Sequence, residues 1–114
     1  FFIKEVEEIE LFIMKKCVSA NLKNNFSRYI LDFYFSNKEE YCKTVLELFK
    51  YLLNKKILFK SNLSRGLILI YKNWNSCKFD YPNHNLRMKN YLFFLNNLGI
   101  TRGIENIFKE FPSV

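Results

Sequence analysis

Between Phe1 and Phe111 this chain carries a single proline, Pro82. A proline ring removes a backbone donor and collides with the preceding helical turn, so Pro82 should open a helix rather than interrupt one. With only 3 Gly and 2 Pro in 114 residues there are few places for tight turns, and long elements are favoured. The apolar pattern says what those elements are. Upstream of Pro82, Leu63, Leu67, Ile70, Tyr71 and Trp74 recur at three- and four-residue steps. Downstream, Leu86, Tyr91, Leu92, Leu95 and Leu98 do the same until Gly99 ends the run. Asp80 lies just ahead of Pro82, where it is placed to cap the bare amides of the second of these helices. Phe79-Asp80-Tyr81-Pro82 therefore reads as a corner between two helices that holds a carboxylate at a fixed spot. Function is expected there.

The rest of the chain repeats the helical pattern, giving about six helices in all. Val6, Ile9, Phe12 and Ile13 form a stripe from Glu5 to about Lys16, with acids early and Lys15 and Lys16 late, as the helix dipole favours. A break over Cys17 to Leu22 leads to a helix from about Lys23 to Phe35, with Phe26, Ile30, Phe33 and Tyr34 inward. Ser36 and Glu39 have capping-box spacing, so a third helix is expected to start there and to bury Tyr41, Val45, Leu48, Phe49 and Leu52. Ile57-Leu58-Phe59 should tuck back onto the core from a connector, after which Ser61 caps the helix leading to Trp74. Beyond Gly99, Thr101 is placed to cap a last helix carrying Ile104, Ile107, Phe108 and Phe111. Regular stripes with short connectors imply one domain over residues 1–114, all-α, built from antiparallel helix pairs stacked side by side.

Composition narrows the class. Hydrophobic residues make up 49% and aromatics 18%, too apolar for a disordered segment. Formal net charge is +7, which favours RNA or an acidic protein as partner. Cys17, Cys42 and Cys77 are odd in number and form no C-x-x-C pair, so they read as reduced thiols of an intracellular protein. No apolar run approaches the roughly 20 residues that span a bilayer. The chain opens at Phe1 without a methionine and reads as a piece of something longer.

From Tyr41 to Pro112 the order of features resembles an MA-3 domain. Val45-Leu46-Glu47-Leu48-Phe49-Lys50-Tyr51-Leu52 is similar to that family's fourth helix. Leu63-Ser64-Arg65-Gly66, with Ile70-Tyr71-Lys72-Asn73, is similar to the fifth, including its basic-Gly pair. Phe79-Asp80-Tyr81-Pro82 resembles the family's Leu-Asp-x-Pro signature, and Leu98-Gly99-Ile100 its helix-six terminus. Glu5-Val6-Glu7-Glu8-Ile9 fits the start of the second helix, which would make Phe1 and Phe2 the end of a first helix outside this chain. The resemblance implies a monomeric domain of stacked antiparallel hairpins, HEAT-like, without enzymatic activity, in the cytoplasm or the nucleus. It implies binding to the DEAD-box helicase translation initiation factor 4A and repression of translation initiation. The family's contact loop carries an acid, three residues, then the Asp of Asp-x-Pro. In this sequence the second acid is Asp80 and the proline Pro82, with Phe79 and Tyr81 around them. Ser76 stands where the first acid would be, and Lys78 lies between.

Other residues carry weaker suggestions. Trp74 lies on the inward stripe and is expected in the core, although Trp also anchors interfaces. His84, the only histidine, has no partner at metal-ligand spacing and is expected at the surface or as a cap. No glycine-rich phosphate loop, nucleophile elbow or isolated carboxylate pair is present, so no enzyme, cofactor or metal is expected. Lys55, Lys56 and Lys60, clustered beside Phe59, are the candidates for a second reading: phosphate contact and base stacking on single-stranded RNA, or a scaffold for a different partner.

Overall fold

The computed structural model describes residues 3–112; Phe1 and Phe2, and with them the expected end of an earlier helix, lie outside the described residues. Among the described residues seven α-helices follow one another: α1 (Ile3–Lys16), α2 (Ala20–Ser36), α3 (Cys42–Asn54), α4 (Lys60–Tyr71), α5 (Trp74–Cys77), α6 (His84–Asn97) and α7 (Glu105–Glu110). Short 3-10 turns over Glu39–Tyr41 and Lys78–Asp80 lead into α3 and out of α5, and no strand occurs among the described residues. The all-helical expectation is met, with one helix more than the stripes suggested. The stripe expected to run unbroken from Ser61 to Trp74 ends at Tyr71, and Trp74 begins the short α5.

Helix α2 is the centre of the fold, touching α1, α3, α4 and α6. Its closest partner is α4, not a chain neighbour. Asn62 Nδ2 donates to Asn24 Oδ1 at 2.8 Å, Gly66 lies against Ser27, and Trp74 packs on Phe35 with ring centroids 5.2 Å apart. The first two pairs rise together along both helices, so α2 runs parallel to α4, and the third continues the same order beyond it. Gly66 is what lets the two backbones approach. A Cβ there would stand 2.9 Å from the Cβ of Ser27 and 3.0 Å from the amide nitrogen of Arg28. With neighbours on several sides, α2 needs a wide apolar face. It buries Ile30, Leu31, Tyr34 and Phe35, while Phe33, expected inward, is 42% exposed. Helix α6 shows the same shift: Arg87, Met88, Tyr91, Leu92, Phe94 and Leu95 are buried and Leu86 is outside. Phe12 and Tyr41, also expected inward, are about half exposed.

Several helix starts use residues other than those the spacing suggested. Ser19 caps α2, accepting from the Leu22 amide at 3.1 Å. Helix α2 continues through Ser36 and ends on Asn37, so the Ser36–Glu39 capping box does not form. Asn62, not Ser61, serves the start of α4, its Oδ1 accepting from the Phe59 amide at 2.9 Å. Thr101 contributes only its carbonyl, to the Ile104 amide, and α7 begins at Glu105. Gly99 does end α6. Its φ of +72° is open to glycine at no cost, and the Ile100 amide turns back to the Leu95 carbonyl.

Candidate functional site

The corner between α4 and α6 is bent by three consecutive backbone choices. Tyr81, preceding a proline, is extended with ψ of 121°. Pro82 follows in a turn, and Asn83 adopts the left-handed conformation with φ of 51°. A left-handed residue cannot belong to the helix, so α6 starts at His84 and Pro82 precedes it by two residues instead of opening it. Asn83 therefore holds the N-cap position, and Asp80 sits one turn too early, within the 3-10 turn, to reach the amides of α6. The expected cap by Asp80 does not form.

Two aromatic anchors hold the corner in place. Trp74, 3% exposed as expected of a core residue, meets Phe35, Tyr81, His84 and Phe111 at ring-centroid distances of 5.2–6.0 Å. Tyr81 stacks on Phe35 at 5.4 Å, and its hydroxyl donates to Asp32 Oδ1 at 2.7 Å. Burial, then the Asp32 hydrogen bond, pushes the Tyr81 phenol above its ordinary range, so it stays a donor throughout physiological pH. Tyr81 thus faces inward and serves as an anchor. Ser76, Phe79 and Asp80 between the anchors, and Pro82 just after the second, all face solvent. Phe79 is 77% exposed, its ring edge-on to half-buried His84 at 5.9 Å with Lys78 Nζ 5.2 Å over its face. The corner brings together a free carboxylate, a projecting aromatic and an adjacent cation. Asp32 was not singled out from sequence. The signal available was an acid set inside the apolar run Ile30-Leu31-Asp32-Phe33-Tyr34, where an unpaired charge would be costly.

The basic connector is only partly assembled. Leu58 is fully buried and Ile57 half-buried, as expected, while Phe59 turns outward at 48% exposure. Lys55, Lys56 and Lys60 are exposed, but Lys55 Nζ lies over the Tyr51 ring at 5.6 Å. It is Lys23, from α2, that stands 5.0 Å over Phe59. Cys17 is buried, Cys42 and Cys77 are partly so, and all three are free thiols. Among the described residues no three potential ligands cluster for a metal, and no helix is long and apolar enough to cross a membrane. Compared with known proteins, the chain matches no family model, no curated protein and no solved structure.

Proposed function

We propose that this chain is a non-enzymatic protein-interaction module of MA-3 type, with stacked helical hairpins, and that the corner Ser76–Pro82 is its contact point. One observation carries the reading: Trp74 and Tyr81 are buried on either side of a segment whose Phe79 and Asp80 are exposed. A side chain held on a pre-formed corner loses little conformational freedom on docking, so more of its contact energy appears as affinity. Asp80 has no capping duty, and a carboxylate without internal work on an anchored corner suits a basic partner site. Together with the sequence resemblance, this points to the DEAD-box helicase translation initiation factor 4A, and to repression of translation initiation, as in the MA-3 domains of programmed cell death protein 4. The test is binding of purified initiation factor 4A to wild type, Asp80→Asn and Ser76→Asp. Asp80→Asn should weaken the complex roughly tenfold with an unchanged melting curve, and Ser76→Asp, adding an acid on an exposed position, should tighten it by up to about tenfold. Equal binding by all three would reject the corner as the contact.

A second reading has its own observation. Exposed Phe59 beneath Lys23, with Lys56 and Lys60 nearby in the chain, offers a stacking surface with phosphate-binding cations. On that reading an oligouridine probe binds with an affinity that falls steeply with salt, and Phe59→Ala together with Lys23→Ala abolishes it. Binding that survives both substitutions would exclude this surface.

A further inference from the structure

The two ends of the molecule differ in charge. Helices α2 and α4 both start at one end, where α1 and α3 finish. Lys23 Nζ stands over the Phe59 ring there, and the nearest atom to a Cβ on Gly99, just past α6, would be Lys60 Nζ at 3.9 Å. The segments that build this end carry cations and no acid. Lys15, Lys16, Lys56 and Lys60 are exposed and Lys23 is half-buried, while residues 11–31 and 48–79 contain neither Asp nor Glu. The nearest acids in the chain are Glu10, which accepts from the Tyr51 hydroxyl, and Glu105 at the start of α7. The opposite end, where Tyr81 meets Asp32, also holds Glu39, Glu40 and Asp80. Large apolar side chains project from the basic end. Met14 is 64% exposed, Val18, in the turn between α1 and α2, is 77% exposed, and Leu22 and Phe59 are about half exposed. Exposed apolar groups gathered among cations mark a surface that meets another phase or partner.

We propose that this end docks on the surface of an anionic lipid membrane. The lysines face the acidic headgroups, and Met14, Val18 and Leu22 enter the boundary between headgroups and acyl chains. Docking of this kind needs no spanning helix. The complementarity is one of sign, with no acid in either of the two stretches of chain to oppose the headgroups. Nucleic acid would satisfy the lysines as well, but of the projecting apolar groups only Phe59 offers a ring on which a base can stack. The three aliphatic side chains gain only in lipid. A molecule docked in this way points the Ser76–Pro82 corner away from the bilayer, so the surface neither depends on the helicase reading nor blocks it.

The test is co-sedimentation of the whole chain with vesicles of phosphatidylcholine containing about 30% phosphatidylserine, against vesicles of phosphatidylcholine alone. The first should carry the protein down and the second should leave it in solution. Met14→Ser with Val18→Ser, both at exposed positions, should weaken binding roughly tenfold by removing inserted apolar surface. Lys15→Gln with Lys16→Gln should weaken it roughly twentyfold, at about fivefold for each lysine. Lys38→Gln with Lys72→Gln removes the same charge from the opposite end and should change it by less than about twofold. Melting curves identify any variant that has lost its fold. Equal losses from the two lysine pairs would mean attraction by net charge alone, and would overturn the proposal. So would an affinity unchanged by Met14→Ser with Val18→Ser, or no binding to the phosphatidylserine vesicles. Oligouridine that displaces the protein from the vesicles and binds both apolar and wild-type forms more tightly than lipid would assign this end to RNA instead, and equally overturns it.

Discussion

Asn83 shows how one residue sets the geometry of the corner. Its φ of 51° lies where an L side chain is crowded by its own backbone, and its side chain makes no capping bond there. What Asn contributes is tolerance of the left-handed conformation. Asn83→Ala should therefore lower stability by about 1 kcal/mol, whereas Asn83→Gly should be close to neutral. Chemical denaturation of both variants checks this; equal losses would mean that the Asn side chain, not the backbone, holds the turn. The same residue explains why the expected Asp80 cap and Pro82 helix start were displaced. Pro82 correctly marked the break, but where the helix begins depended on a left-handed residue after it. Asn is compatible with that conformation without requiring it, so the sequence left the start open.

At the scale of elements, Gly66 decides how α4 lies on α2. A methyl added there would meet Ser27 and the Arg28 backbone at 2.9–3.0 Å, and backbone cannot give way as a flexible side-chain end can. Alanine is intrinsically the better helix residue by roughly 1 kcal/mol, so the two effects compete. Overpacking costs roughly 1–3 kcal/mol. With two backbones pressed together the clash should win, and Gly66→Ala should lower the melting temperature. A rise would show that the helices separate without loss. The helices themselves were legible because Leu63, Leu67 and Ile70, or Val45, Leu48, Phe49 and Leu52, repeat at helical steps and are buried. Leu31, Phe35 and the buried Arg87 were not foreseen. A stripe gives the direction of a face but not its width, and width depends on how many neighbours a helix acquires.

At the scale of the molecule, three tyrosines, Tyr34, Tyr81 and Tyr91, are buried in the core, and they set the response to alkali. Burial, as the leading cause, raises the pKa of Tyr34, Tyr81 and Tyr91, with the Asp32 hydrogen bond adding to it at Tyr81. The native state thus keeps these protons to higher pH than the unfolded chain, whose tyrosines ionise near pH 10. The resulting stability is fully present below about pH 10 and is lost as the pH climbs from there toward the raised native values. Urea midpoints should be flat between about pH 7 and 9 and fall steeply above about pH 10, with phenolate absorbance from these three appearing only as the protein unfolds. Early ionisation of all seven tyrosines in the folded protein would contradict this.

The corner proposed as the contact was the most legible part of the candidate site, because Pro82 and the two stripes bracket it. Its inner half was hidden, because Asp32 is 49 residues from Tyr81 in the chain. The Asp80→Asn comparison tests the central proposal most directly, since Asp80 carries no cap whose loss could be mistaken for lost binding. Wild type and Asp80→Asn should melt together while the variant binds initiation factor 4A roughly tenfold more weakly at the same salt. Unchanged affinity in Asp80→Asn, or no complex with wild type at all, would contradict the assignment of this corner as the helicase contact.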